Sequence, residues 1–230
     1  PLAVSKPAKN HWHIDTGGAP SITVAYRVYG REMTVRNNWV EAGFAMLNGA
    51  PTFLTLADRT PRPHEVQIEL PAGWKTTATP LMPIAGKANA YRADDFDTLV
   101  DSPIIAGSPV IKTFDVDGKQ HHLVLEGDPS LFDADRAAGD VKKIVEAAKA
   151  AMGPLQYPHY FFLNMVVETG GGLEHKNAFL TMSSRFTTRT RRSYVNWLEL
   201  VGHEYFHNWN VKRLRPVELG PFDYVAAMVH

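Results

Sequence analysis

The sequence predicts an α+β fold. A β-rich N-terminal sandwich or saddle-like domain is expected over residues 1–132, followed over residues 133–230 by a second region that mixes helices and strands. Three observations carry this expectation. Up to about residue 130, short alternating apolar stretches are punctuated by Pro and Gly, with no helical stripe of useful length. From Asp133 onward the apolar period becomes that of a helix. The composition, 44% hydrophobic and 21% charged, is that of a globular chain, and 230 residues give room for one large or two modest domains.

Taken in order, Ile22, Val24, Tyr26 and Val28 alternate with Thr23, Ala25 and Arg27 and stop at Gly30, a half-buried strand pattern. Val66, Ile68 and Leu70 repeat it before Pro71-Ala72-Gly73. Lys112 to Val116 and His121 to Leu125 flank Asp117-Gly118, which supplies the positive φ angles of a tight hairpin turn. Val141, Ile144, Val145, Ala148 and Met152 then mark one face of a helix, and Gly153-Pro154 stops it, because Gly accepts the left-handed cap position. Tyr160 to Val167 is apolar except for Asn164 and reads as a buried strand; Ala178 to Met182 is expected to pair back beside it. Ser193 is the expected cap of a long helix reaching about Arg213, ended before Pro216.

Composition also excludes. With 24 Lys+Arg against 24 Asp+Glu, the chain lacks the basic excess of a nucleic-acid or membrane-surface binder. Zero cysteines remove disulfides, thiolate metal sites and cysteine nucleophiles together, so any metal must sit on His, Asp or Glu. No apolar run approaches the ~18 residues of a membrane span. The opening Pro1-Leu2-Ala3-Val4-Ser5-Lys6 is too short and polar for a signal peptide. The expectation is a soluble protein, with the compartment open between cytoplasm and periplasm and an export signal lost to processing left open.

The chemistry lies in His203-Glu204-Tyr205-Phe206-His207. Residues four apart on a helix are offset by about 40°, so both imidazoles can reach one ion while the Glu between them stands beside it; the alternative is two buried or surface histidines satisfied by hydrogen bonds. Tyr194, Leu198, Val201 and Tyr205 form the apolar stripe of the same helix, which leaves the histidines on the other side, facing a cleft. Gly202 lies near that stripe, where close approach of another backbone or simple tolerance would explain it. Upstream, Gly170-Gly171-Gly172-Leu173-Glu174-His175 reads either as a plain turn or as a strand that another backbone approaches, with an acid at its rim. The pairs His11/His13 and His121/His122 read as surface residues, and the five tryptophans as core or interface aromatics. Lys212, Arg213 and Arg215 read as cations at a helix C-terminus.

Gly171-Gly172-Leu173-Glu174-His175 together with the run from His203 to Arg213 resembles the glycyl aminopeptidase family of zinc metallopeptidases, relatives of the thermolysin-like aminopeptidases. Leu70-Pro71-Ala72-Gly73-Trp74 and Asp97 to Pro103 are similar to that family's N-terminal domain, and Leu214 to Tyr224 to the continuation of its metal-site helix. The resemblance implies a β-rich domain followed by the start of a thermolysin-like catalytic domain. It implies Zn2+ as cofactor, His203 and His207 as metal ligands, and Glu204 as general base. It further implies Glu174 as the acid that holds the substrate's free α-amine, with Gly171 and Gly172 lining the peptide backbone. A third zinc ligand, a Glu on a later helix, is expected beyond residue 230.

The activity so implied is removal of small N-terminal residues, Gly or Ala, from peptides with a free N-terminus. Nucleic acid and membrane are not expected partners, and a face left open where further chain packs would favour self-association. The alternative from a different class is a catalytically incomplete fragment that binds a peptide or partner.

Overall fold

The computed structural model describes residues 2–58 and 60–219. It opens with an antiparallel hairpin of β1 (Val4–Ala8) and β2 (His11–Ile14). The strand expected over Ile22 to Val28 does not form: these residues carry no assigned strand, and Ile22, Val24, Tyr26 and Val28 are all exposed. Alternation there satisfies the pleat without a partner strand to pair with.

Two small antiparallel sheets follow. One contains β3 (Trp39–Val40), β4 (Ala45–Leu47), β6 (Thr76–Ala78) and β9 (Ile104–Gly107), in the order β3-β4-β9-β6. The other contains β5 (His64–Gln67), β7 (Met82–Pro83) and β8 (Ala90–Ala93), in the order β5-β8-β7. The expected strand at Val66 is therefore present, with Val66 buried. A short helix, α1 (Phe96–Val100), leads into β9; its cap Asp95 accepts the Thr98 N–H at 2.7 Å.

The sheet that matters for the site has five strands: β10 (Val110–Val116), β11 (Lys119–Gly127), β12 (His159–Val166), β13 (Gly171–Glu174) and β14 (Ala178–Ser183). Their order is β10-β11-β12-β14-β13, which makes β13 an edge strand. The β10–β11 hairpin forms as expected, with Asp117 and Gly118 at φ 59° and 70°. β14 does neighbour β12, but in parallel; the chain reaches β14 by first laying β13 along its far side, antiparallel. β11 and β12 also pair in parallel, across α2 (Ala134–Met152), so strands from both sides of residue 132 belong to one sheet.

Side chains alternate across this sheet, as the pleat requires. Leu123, Leu125, Tyr160, Phe162 and Phe179 face α2 and α3 (Arg191–Phe206), meeting Val141, Val145, Tyr194, Trp197, Val201 and Tyr205. Val124, Leu163, Met165, Leu180 and Met182 face the other way, onto Phe44, Met46, Ala78 and Ile105 of the N-terminal region. The sheet is thus the shared wall of two apolar cores. The polar interruption at Asn164 has a partner set: Trp197 Nε1 and Thr181 Oγ1 donate to its Oδ1 at 3.0 and 2.9 Å, and its Nδ2 donates to Ser183 Oγ at 2.9 Å. That cluster pins α3 to the sheet.

Helix α2 stops at Gly153 with φ 91°, as the sequence indicates. Helix α3 differs at both ends. Its cap is Thr190, whose side chain accepts the Ser193 N–H at 3.2 Å, while Ser193 Oγ donates to the Thr187 carbonyl at 2.8 Å. Its last helical residue is Phe206, not Arg213, because a tight turn follows in which Val211 takes φ 94° and the Leu214 N–H donates to the Trp209 carbonyl at 2.7 Å. His121 is fully buried rather than on the surface; period two sends it inward and His122 outward. Its Nδ1–H donates to the Lys119 carbonyl, so its Nε2 accepts from Tyr157 Oη at 2.8 Å, and Tyr157 is bonded in turn to Tyr205 on α3. Tryptophans 197 and 209 are core residues as expected, whereas Trp12 is exposed.

Candidate functional site

Helix α3 lays its buried stripe of Tyr194, Trp197, Val201 and Tyr205 on the sheet, with Leu198 packed beside it. Positions one step round the helix turn toward the edge strand β13. Glu204 is one of these and is only 5% exposed; His203 is exposed and His207 half-buried. The close approach falls at Gly172, not at Gly202, which has open space where a Cβ would be. A Cβ on Gly172 would overlap the Glu204 carboxylate and stand 2.6 Å from its Cδ. A hydrogen at that position is what lets the acid of α3 lie against the edge strand.

Glu174 is two residues further along β13 and so shares the face of Gly172. One ligating atom each from Glu174, Glu204 and His207 lie within 4.8 Å of one another. His203 joins through His207, their Nε2 atoms being 3.2 Å apart. His207 Nδ1–H donates to the Asn210 carbonyl at 3.1 Å, which leaves the Nε2 lone pair free for the cluster. Burial raises the Glu204 pKa above its ordinary value; the nearby imidazoles of His203 and His207 oppose the rise and the Glu174 carboxylate adds to it.

These residues form a site of two imidazoles and two carboxylates that can hold a metal ion and a proton acceptor side by side. Glu174, Gly171, Gly172, His203, Glu204 and His207 are all brought together. Gly171 adopts φ 149°, a conformation side chains rarely take, beside Val35 of the N-terminal region.

Periodicity and spacing do not disclose a second group of residues. The cations after α3 are held by specific partners rather than by the helix end. Lys212 Nζ donates to Asp101 Oδ1 at 2.8 Å. Arg213 donates to the Gln156 and Lys176 carbonyls at 3.0 and 2.9 Å, to Asn177 Oδ1 at 3.1 Å and to Asn208. Asn210, three residues past His207, has no local signature beyond its place in the motif.

The family pattern described as Peptidase M61 N-terminal domain matches residues 1–108, and that described as M61 glycyl aminopeptidase matches residues 196–230. The chain belongs to the M61 peptidase family. The M61 chain is also similar to a crystal structure of an aminopeptidase N family protein from Idiomarina loihiensis, at 30% identity and TM-score 0.88, over 97% of this chain. It spans 40% of the length of that relative. Aminopeptidase A of Legionella pneumophila, solved with aspartic acid, aligns at 15% identity and TM-score 0.46 over 76% of this chain and 23% of its own. No curated protein matches significantly. The M61 fold is α+β, mostly sheet with few helices, and comprises the N-terminal domain and the start of the catalytic one. No described helix is long and apolar enough to cross a membrane.

Proposed function

We propose that the protein containing this chain is a zinc-dependent aminopeptidase that removes Gly or Ala from the N-terminus of peptides. The observation that carries the reading is the convergence of Glu174, Glu204 and His207 within 4.8 Å. Two nitrogens on a tetrahedral zinc stand roughly 3.3 Å apart when each bond is about 2.0–2.1 Å. The Nε2 atoms of His203 and His207, at 3.2 Å, fit that requirement, and these two residues would hold the ion. A third protein ligand is expected from outside these residues. Bound zinc would polarise the scissile carbonyl and lower the pKa of the attacking water.

The chain's own residues do the rest. Glu204, shielded from solvent and raised in pKa, accepts the proton of the attacking water and delivers it to the leaving amine. Glu174 pairs with the substrate's α-ammonium. A residue spans at most about 3.6 Å, so an acid this near the cluster leaves room for one residue, not two, between the free amine and the reacting carbonyl. That spacing favours an exopeptidase. The free edge of β13 at Gly171 and Gly172 offers backbone groups to the substrate chain.

The test uses the full-length protein with glycyl and alanyl anilides and their N-acetyl forms. The reading expects free-amine substrates to be cleaved far faster than their acetylated forms, stoichiometric zinc by elemental analysis, and loss of turnover on chelation. Equal cleavage of acetylated substrates would remove the role of Glu174. Absence of both zinc and turnover would favour a peptide- or partner-binding module.

A further inference from the structure

Asp101 lies at the end of α1, in the N-terminal region, yet its carboxylate is bonded to both halves of the candidate site. Oδ1 accepts from His175 Nδ1 at 3.1 Å and from Lys212 Nζ at 2.8 Å, while Oδ2 accepts the backbone N–H of Lys176 at 2.8 Å. His175 and Lys176 directly follow Glu174 at the end of β13; Lys212 lies in the turn after His207, beyond Val211. Charge-assisted bonds of this kind are stronger and more directional than neutral ones.

The carboxylate is itself firmly mounted. Asp101 caps α1, its N–H donating to the carbonyls of Asp97 and Leu99, and Leu99 is buried. Ser102 Oγ donates to the Thr98 carbonyl at 2.7 Å, and Gly49 packs directly on the Val100 backbone. Burial tends to raise the Asp101 pKa, but His175 and Lys212 outweigh it and hold the carboxyl at about 2. The group is an anion throughout the working range. On the other side, β13 is an edge strand whose sheet bonds, among the described residues, run to β14, so its outer end gains from an external anchor. His175 is 5% exposed, and its Nε2 has no hydrogen-bond partner among the described residues, so Asp101 supplies its ring contact.

We propose that Asp101 is a positioning residue that fixes the distance between Glu174 and the His203–His207 pair, and thereby sets where the substrate's free amine lies relative to the reacting carbonyl. The inference rests on the reading of Glu174 as the amine-holding acid. One carboxylate grips the strand that carries that acid and the turn that leaves the metal helix, so the N-terminal region takes part in measuring the substrate. Substitution by Asn keeps the size but loses the charge that holds two donors on Oδ1.

The test uses the full-length enzyme carrying Asp101→Asn, with alanyl anilide and propionyl anilide, its analogue lacking the amine, as a matched pair. Expected is a fall of about tenfold or more in kcat/KM for the amine substrate. The propionyl substrate should change by less than about twofold, with zinc content unchanged. A parallel fall on both substrates, or no fall on either, overturns the proposal. Glu174→Ala runs alongside. If it leaves the amine preference intact, the reading of Glu174 falls and the Asp101 proposal with it; if it abolishes the preference while Asp101→Asn leaves it unchanged, the Asp101 proposal alone is overturned. Should Asp101→Asn fail to fold, Lys212→Met removes one arm and leaves the His175 and Lys176 contacts. It should lower the amine preference by about threefold, and an unchanged preference overturns the proposal.

Discussion

Substituting Gly172 by Ala tests the geometry of the site with a single methyl group. The added Cβ would stand 2.6 Å from Glu204 Cδ and 2.9 Å from its Cγ. Carbon atoms in ordinary contact are about 3.5–4.0 Å apart, so the carboxylate must withdraw by about 1 Å or more. A displacement of about 1 Å in a reacting group costs roughly 10²-fold in rate. That corresponds to about 2.7 kcal/mol of barrier. The fold should tolerate the change, because Gly172 is not at positive φ and the atoms in the way belong to one side chain rather than to backbone. Ala in a strand is if anything better than Gly, by about 0.5–1 kcal/mol. The expected result is a loss of about 10²-fold in kcat/KM on alanyl anilide, with unchanged thermal midpoint and zinc content. Activity within about threefold of wild type would refute the argument that Glu204 acts from its place against β13.

Three further outcomes follow from the same contacts. Glu204→Gln should lower kcat by about 10²–10⁴-fold while elemental analysis still finds zinc, since the ligands remain. Asn164→Ala should cost about 2–4 kcal/mol in urea unfolding, because the Trp197 N–H and the Thr181 hydroxyl lose their buried acceptor. His121 is held neutral by burial, its pKa pushed from 6.5 down to about 4, so the unfolded chain takes up this proton first. Its contribution to stability is whole above pH about 6.5 and is lost as the pH falls towards about 4; the loss, about 3 kcal/mol at most, is measurable by comparing wild type with His121→Gln across that window.

What the sequence disclosed was what neighbouring residues decide between themselves. The spacing of His203 and His207 fixes their common face because a helix repeats locally, and α2 ended at Gly153 because one residue's φ decides it. Asp117-Gly118 made its hairpin for the same reason. Ile22 to Val28 has equally good local credentials and fails, since alternation expresses a preference for the pleat while a strand needs a partner edge. The cations after α3 repeat the lesson in electrostatics: the helix-end account is sound physics, but Asp101 and the carbonyls of Gln156 and Lys176 offer Lys212 and Arg213 closer partners.

The two glycines place the boundary of legibility most sharply. Gly202 sits in the motif helix, where a missing side chain invites an explanation, and the structure shows empty space beside it. Gly172 sits in a run of glycines that reads equally well as a turn, and there the missing side chain admits Glu204. No period or spacing separates these cases, because the close approach joins an edge strand to a helix that begins after an intervening strand and loop. The same holds for Asp101, which meets His175 and Lys212 only once the N-terminal region has packed beside the five-stranded sheet. The pair proposed to hold the ion can therefore be written into five consecutive residues, whereas the groups proposed to aim a substrate at it must be assembled by the whole fold. Substitutions in the motif and a methyl at Gly172 should act on the chemistry, by removing or displacing the base, whereas a substitution at Asp101 should instead change how well the substrate's amine is aligned with it.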